Sequence, residues 1–143
     1  DRLPSYHEAR ESICPESPAP ARYRLHFMTP NTNDRIHSQF NNLRMISRFS
    51  DRPRVQIHPH DARARGIDDG DRVTIFNDRG SLEVEAFLDN GIKAGCISVT
   101  NGWWIPEGGT VNFCSDGRET DMGHGAAFHD NLVEIEPVRN AGP

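Results

Sequence analysis

The chain has 143 residues, 16 basic and 21 acidic side chains, and a formal net charge of −5. That length makes one domain of ordinary size, able to bury its own core, and the acidic balance argues against a nucleic-acid role built on broad phosphate neutralisation. No apolar run approaches the length of a membrane span and no signal-peptide pattern is present.

The three cysteines, Cys14, Cys96 and Cys114, are odd in number and include no CxxC pair. They form neither a disulfide framework nor a zinc site and lean towards a reducing compartment. The first residue is Asp1 rather than Met, so the chain is expected to be a piece of something longer.

Residues 1–21 hold Pro4, Pro15, Pro18 and Pro20 among few apolar side chains and read as an arm or linker from a preceding domain. A domain over 22–137 follows, with a flexible tail at 138–143. Tyr23, Leu25 and Phe27 alternate with Arg24, His26 and Met28, which predicts the first strand. A polar loop from Thr29 to Arg35 stops it. Ile36, Phe40 and Leu43 then recur at helical spacing, which predicts a short helix lying on the body of the domain. Arg35, Arg44, Arg48, Arg52 and Arg54 crowd this region, either as a solvated face or as a site for an anion.

The most regular stretch runs from Val55 to Thr100. Val55 and Ile57 make a β-rich run, and Pro59 opens a short helix, its missing N–H costing nothing at the first position. Gly66 ends that helix, and Asp68-Asp69-Gly70-Asp71 is a tight turn. Period two then takes over in Val73 and Ile75. Asn77-Asp78-Arg79-Gly80 is a hairpin turn, and Leu82, Val84, Ala86 and Leu88 alternate with Ser81, Glu83, Glu85 and Phe87. Cys96 to Thr100 is a further strand, with Cys96 a small buried residue. Val111 to Phe113 is a short strand or turn, residues 115–127 form a long surface loop, and Asn131 to Glu136 is the last strand.

Catalytic signatures are weak. His58-Pro59-His60-Asp61 looks like a metal cluster, but the two imidazoles flank a helix-starting proline, so one is expected to cap and the other to face solvent. His37 and Ser38 are adjacent in the chain, and no GxSxG elbow exists. Gly108-Gly109 and Gly123-x-Gly125 precede no helical pattern and read as turn glycines. What remains is a set of polar connections: Thr29 to Gln39, Asn101 to Trp104, Asn112, and Gly123 to His129. Amides and hydroxyls offer donors and acceptors together, suited to a heterocycle such as a pterin or guanine. Arg35 and His37 suit a phosphate or pyrophosphate, and Trp103 offers a ring to stack on.

Several of these residues fall into one pattern: Tyr23-x-Leu25, Thr29, Arg35-x-His37-Ser38-Gln39, Val55-x-Ile57-x-Pro59-x-Asp61-Ala62-x-x-x-Gly66-Ile67-x-x-Gly70-Asp71-x-Val73, Asn77-x-x-Gly80 and the Asn112 turn. It resembles the C-terminal molybdopterin-dinucleotide-binding domain of the dimethyl-sulfoxide-reductase and formate-dehydrogenase superfamily, over roughly 23–136, with 1–21 as the connecting arm. The resemblance implies a mainly β fold, a six-stranded double-psi β-barrel with short helices, and a role in holding molybdopterin guanine dinucleotide. By position it implies that Thr29, Asn31, Arg35, His37, Ser38, Gln39, Trp103, Asn112, Phe128 and His129 contact that cofactor. The molybdenum or tungsten would be carried by the full enzyme, with its ligand and any iron–sulfur cluster in other domains or subunits, in the cytoplasm or periplasm. This chain is then not expected to catalyse alone.

A stand-alone double-psi barrel acting as a protein-interaction or substrate-recognition module would share the central turn and hairpin, but has no need of His37-Ser38-Gln39 or Asn112. A self-processing decarboxylase would need a Gly-Ser cleavage site. Gly80-Ser81 is such a dipeptide, but its glycine is already explained by the hairpin.

Overall fold

The computed structural model describes residues 9–13, 22–49, 52–120 and 123–138. Cys14 and most of the arm expected at 1–21 lie outside the described residues, as do 139–143 of the expected tail.

Six strands form in chain order: β1 (Leu25–Met28), β2 (Arg54–Ile57), β3 (Arg72–Phe76), β4 (Ser81–Leu88), β5 (Cys96–Val99) and β6 (Leu132–Pro137). They close into a barrel in the order β1-β5-β2-β4-β3-β6. Two pairs are parallel, β1 with β5 and β2 with β4; the remaining four are antiparallel. This is the closed six-stranded, mainly β barrel that the sequence resemblance implies.

Alternation decides what goes inside. On β4, Leu82, Val84 and Ala86 are buried, while Glu83 and Glu85 face out to Arg72 and to Arg52 and Arg54. Phe27, Leu25, Ile57, Ile75, Ile97, Ile135 and the valines at 55, 73, 99 and 133 fill the interior, all essentially inaccessible to water. β5 is buried at all four positions, so it shows no period-two pattern, as for a strand covered on both faces. Cys96 and Cys114 are both buried free thiols, and burial pushes Cys114 up to about 11, out of reach of thiolate chemistry near neutrality.

The one α-helix among the described residues, α1 (Pro59–Arg63), starts where the proline predicts. His58 caps it by accepting the His60 N–H at 3.1 Å, and the His60 side chain is exposed, so the apparent metal cluster is a helix start. Buried Asp61 accepts the Gly95 N–H at 2.7 Å, pinning α1 to the turn before β5. Arg65 reaches Glu134 on β6 at 2.5 Å and the Asp61 carbonyl at 3.1 Å. The hairpin closes through Asn77 N–H to the Gly80 carbonyl, 3.0 Å. Gly80 has no room for a side chain, since a Cβ there would meet the Phe113 carbonyl at 2.8 Å.

One expected element is absent. Residues 36–43 form turns and not a helix. His37 and Phe40 take positive φ of 50° and 72°, which a right-handed helix cannot include. Ile36, Phe40 and Leu43 are exposed, so their spacing reflects no buried face. Val111–Cys114 is a turn of 3₁₀ helix rather than a strand, as is Ile105–Glu107. At the far end, the Val138 N–H still bonds the Arg72 carbonyl at 2.8 Å. Among the described residues no helix is long and apolar enough to cross a membrane.

Replacing Asp61 by Ala leaves the Gly95 N–H unpaired inside the fold. The expected cost is about 1–3 kcal/mol, read as a lower denaturant midpoint with an unchanged slope, whereas Asp68→Ala on the exposed turn stays within about 0.5 kcal/mol.

Candidate functional site

Strand directions bring distant segments to one end of the barrel. β1 and β5 run parallel, so the connections leaving Met28 and Val99 emerge side by side. β6 runs antiparallel to β1, so the residues just before Leu132 arrive at the same place. The Val111–Cys114 turn packs against β4 and adds a fourth wall.

Between them lies an open cleft of about 370 Å³, lined by Thr29, Pro30, Asn31, His37, Ser38, Asn101, Gly102, Trp103, Thr110, Val111, Asn112, Phe128 and His129. Of the positions singled out in the sequence, Thr29, Asn31, His37, Ser38, Trp103, Asn112, Phe128 and His129 therefore share one site. Gln39 and Arg35 do not line it. Gln39 is exposed, and its N–H closes a turn onto the Ile36 carbonyl at 2.9 Å. Asn101 and Thr110 were not singled out individually; as loop residues without periodicity they carry little signal of their own.

Arg35 lies one layer back. It is only 5% exposed, and its guanidinium carbon sits 4.0 Å from the centre of the Trp103 ring. Nη1 donates to Asn41 Oδ1 at 3.0 Å, while Nε and Nη2 have no hydrogen-bond partner among the described residues. Burial lowers its affinity for the proton, opposed by Asp34 and Glu107. Guanidinium nevertheless stays charged in proteins. Asn41 continues to Glu107, whose carboxylate accepts the Trp104 N–H at 2.9 Å. Trp104 in turn donates its indole N–H to the Ser38 carbonyl at 2.9 Å. The basic run 35–54 is thus no single patch: Arg35 is buried, Arg52 and Arg54 pair with Glu85, and Arg44 and Arg48 are exposed.

The two main walls touch at Gly102. Its φ is +88°, and a Cβ there would run into the His37 carbonyl oxygen, so only glycine lets the His37-Ser38 turn approach. Asn101 fastens the same junction. Its N–H bonds the Pro30 carbonyl at 2.9 Å, and its amide bonds the Thr29 carbonyl at 3.1 Å and Asn31 Oδ1 at 2.9 Å. Its own buried Oδ1 has no partner among the described residues. The side chains of His37, Ser38 and Asn112 make no hydrogen bond among the described residues. A lining of amides, hydroxyls and imidazoles with unspent donors and acceptors fits the mixed edge of a pterin, and the positive charge behind Trp103 fits an attached phosphate.

His26, half-buried on β1, stands behind His129. Burial lowers its pKa, the charge of His129 adds to the lowering, and Asp130 opposes it.

The chain matches the model of the family described as the molydopterin dinucleotide binding domain over residues 25–132. It is 37% identical over 115 residues to a putative catalytic chain of dimethyl sulfoxide reductase from Halobacterium salinarum, which covers 79% of this chain and 14% of that protein. Dimethyl sulfoxide reductase DmsA of Escherichia coli is 32% identical over 145 residues, covering 96% of this chain and 17% of its own length. Among solved structures, acetylene hydratase from Pelobacter acetylenicus superposes with a TM-score of 0.80 at 18% identity, over 95% of this chain and 21% of that one, a likeness of fold. The chain belongs to the molybdopterin-dinucleotide-binding domain family, and it spans about a sixth of the length of the curated relatives it matches.

Gly102→Ala is expected to cost the left-handed backbone penalty of about 1–3 kcal/mol and, in addition, to push the His37-Ser38 turn away. Gly117→Ala, also at positive φ but with open space around it, should cost the backbone penalty alone; paired denaturant titrations separate the two. A pH test follows from His26. Its folded pKa lies below the ordinary 6.5, so just under that value the unfolded chain binds more protons than the folded one. Its contribution to stability is present above about 6.5 and is lost as pH falls through the folded pKa. His26→Gln should flatten that acid-side decline in a pH series of unfolding midpoints.

Proposed function

We propose that this chain is the cofactor-holding domain, or small subunit, of a molybdenum or tungsten oxidoreductase of the dimethyl-sulfoxide-reductase superfamily, with the cleft gripping the pterin and phosphates of molybdopterin guanine dinucleotide. One observation carries the reading: Thr29, His37, Ser38, Trp103, Asn112 and His129, far apart in sequence, line a single cleft in a chain of that family. The cleft is at the small end for a ligand site, so a dinucleotide would run beyond it onto surfaces supplied by the rest of the enzyme. The match to a small part of much larger proteins is consistent with such further domains; an iron–sulfur cluster among them belongs to the same proposal. Residues 1–21 would connect the barrel to what precedes it, and 22–137 would be the binding unit.

Bound, the cofactor supplies the redox chemistry at its metal. The chain's own residues bind and orient. Asn31 and Asn112 present amides to the heterocycle edge, while Asn101, its Nδ2 spent on the Thr29 carbonyl and Asn31 Oδ1, holds the junction behind them. Ser38 and His37 stand where they can donate to phosphate oxygens. Arg35 contributes charge from behind Trp103 without touching the ligand, and the indole keeps water from that face. His129 keeps its ring in place by accepting the Thr29 N–H at 3.4 Å, a long contact that leaves Nε2 for the ligand.

Asn112→Ala and His129→Ala in the full protein are each expected to release cofactor roughly 3–10-fold faster, as for loss of one hydrogen bond. Pterin fluorescence and metal content after dialysis measure this. Full retention of both in the double variant overturns the proposal.

A further inference from the structure

We propose that Arg79, at the tip of the β3–β4 hairpin, is a positioning residue for the cleft: it ties the segment around Glu11, upstream of the barrel, to the two segments that carry Asn112 and Phe128-His129. The inference rests on the reading of the cleft as the cofactor site.

Arg79 is not needed to close its own turn. The Asn77–Gly80 hydrogen bond does that, and Asn77 Oδ1 accepts the Arg79 N–H at 3.0 Å. Its guanidinium is spent on three other parts of the chain. Nη1 and Nη2 grip the Glu11 carboxylate as a fork, at 2.5 and 2.9 Å. Nε donates to the Cys114 carbonyl at 3.0 Å, and Nη2 also reaches Asn131 Oδ1 at 3.4 Å.

Two of those partners hold the cleft walls. Cys114 ends the turn that begins at Val111 and carries Asn112; the Asn77 amide bonds the same carbonyl at 2.8 Å. Asn131 is fully buried and serves as a junction. Its Oδ1 accepts the Asp116 N–H at 3.0 Å, its Nδ2 donates to the Phe128 carbonyl at 2.8 Å, and its own carbonyl accepts the Phe27 N–H at 2.9 Å. Fixing Asn131 therefore fixes the peptide that presents Phe128 and His129.

Glu11 adds a second grip, because its Oε2 accepts the N–H of Leu132, the first residue of β6, at 2.7 Å. Burial on its own would raise the Glu11 pKa; the hydrogen bonds from Arg79 and Leu132, with the nearby charge of Arg118, outweigh it and hold the carboxyl below its usual range. Both partners are mostly shielded from water, at 26% and 19% exposure of their side chains, so the fork is less screened than a surface pair. The Glu11 segment is thereby linked to the Cys114 carbonyl and to Asn131 through one guanidinium, and to the start of β6 directly through the Leu132 N–H.

The test uses Arg79→Met, Arg79→Lys and Glu11→Gln in the full cofactor-bearing protein, with two readouts: amide hydrogen exchange and pterin retained after dialysis. Arg79→Met should speed exchange at 112–116 and 128–132 by about tenfold, the scale of a lost charged hydrogen bond, while β2 and β4 keep their protection. Pterin should leave about tenfold faster. Glu11→Gln should give the same pattern, weaker. Arg79→Lys, which keeps a charge for Glu11 but lacks the planar fork, should recover only part of the loss. Exchange rising evenly over the whole barrel would show a purely structural arginine and overturn the inference, as would unchanged exchange at both segments. Should Arg79→Met fail to fold, Glu11→Gln decides by the same two patterns. Loss of pterin from Asn112→Ala with none from Arg79→Met overturns the role of Arg79 alone; retention in every variant overturns the cofactor reading and this inference with it.

Discussion

The parallel pairing of β1 with β5 is the constraint from which the site follows. A hairpin would have returned the chain to the opposite end of the barrel. Parallel strands instead discharge both connections at one end, Thr29 after β1 and Thr100 after β5. β6, antiparallel to β1, then receives its incoming loop at that end too. The barrel interior offers no alternative location, because ten branched or aromatic side chains fill it without accessible space. Burial of those side chains supplies the stability, and polar chemistry is left to the rim, where sequence can vary without disturbing the core.

Behind the rim stands a layer of contacts that orient it. Gly102 permits a backbone approach no other residue allows, and Asn101 stitches the β5 exit to the β1 exit. Trp103 is wedged between the cleft and Arg35, with its indole N–H on Thr100 Oγ1 at 3.1 Å. Such supporting contacts decide whether side chains exposed on loops hold a geometry fixed enough for binding.

Elements with a strong local cause were legible in the sequence. Leu82, Val84 and Ala86 alternate because a strand has period two, and Pro59 and Gly66 bracket α1 because each suits its backbone position. The segment 36–43 was not, because helical spacing of Ile36, Phe40 and Leu43 says nothing about backbone sign, and His37 and Phe40 are left-handed. Arg35 illustrates a second limit. A guanidinium in a polar loop reads as an anion ligand, and nothing local reveals that the loop folds it under an indole that lies 68 residues further along the sequence. The hub at Arg79 was equally invisible: its three partners come from residues 11, 114 and 131, and no pattern within the hairpin names them. The barrel alone would serve an interaction module equally well; the shared cleft and the family match favour cofactor binding.

Arg35 is a cost to the fold rather than a source of its stability. An arginine at 5% exposure with two nitrogens unpaired among the described residues is costly to bury. The Trp103 face returns on the order of 2 kcal/mol when desolvated, and Asn41 satisfies one donor. Neither removes the charge, which the nearby carboxylates of Asp34 and Glu107 oppose. A ligand that binds only the folded state adds stability with the logarithm of its concentration over its dissociation constant. The barrel can therefore hold an imperfectly satisfied rim on its own, because the interior that stabilises it is separate from the loops that bind.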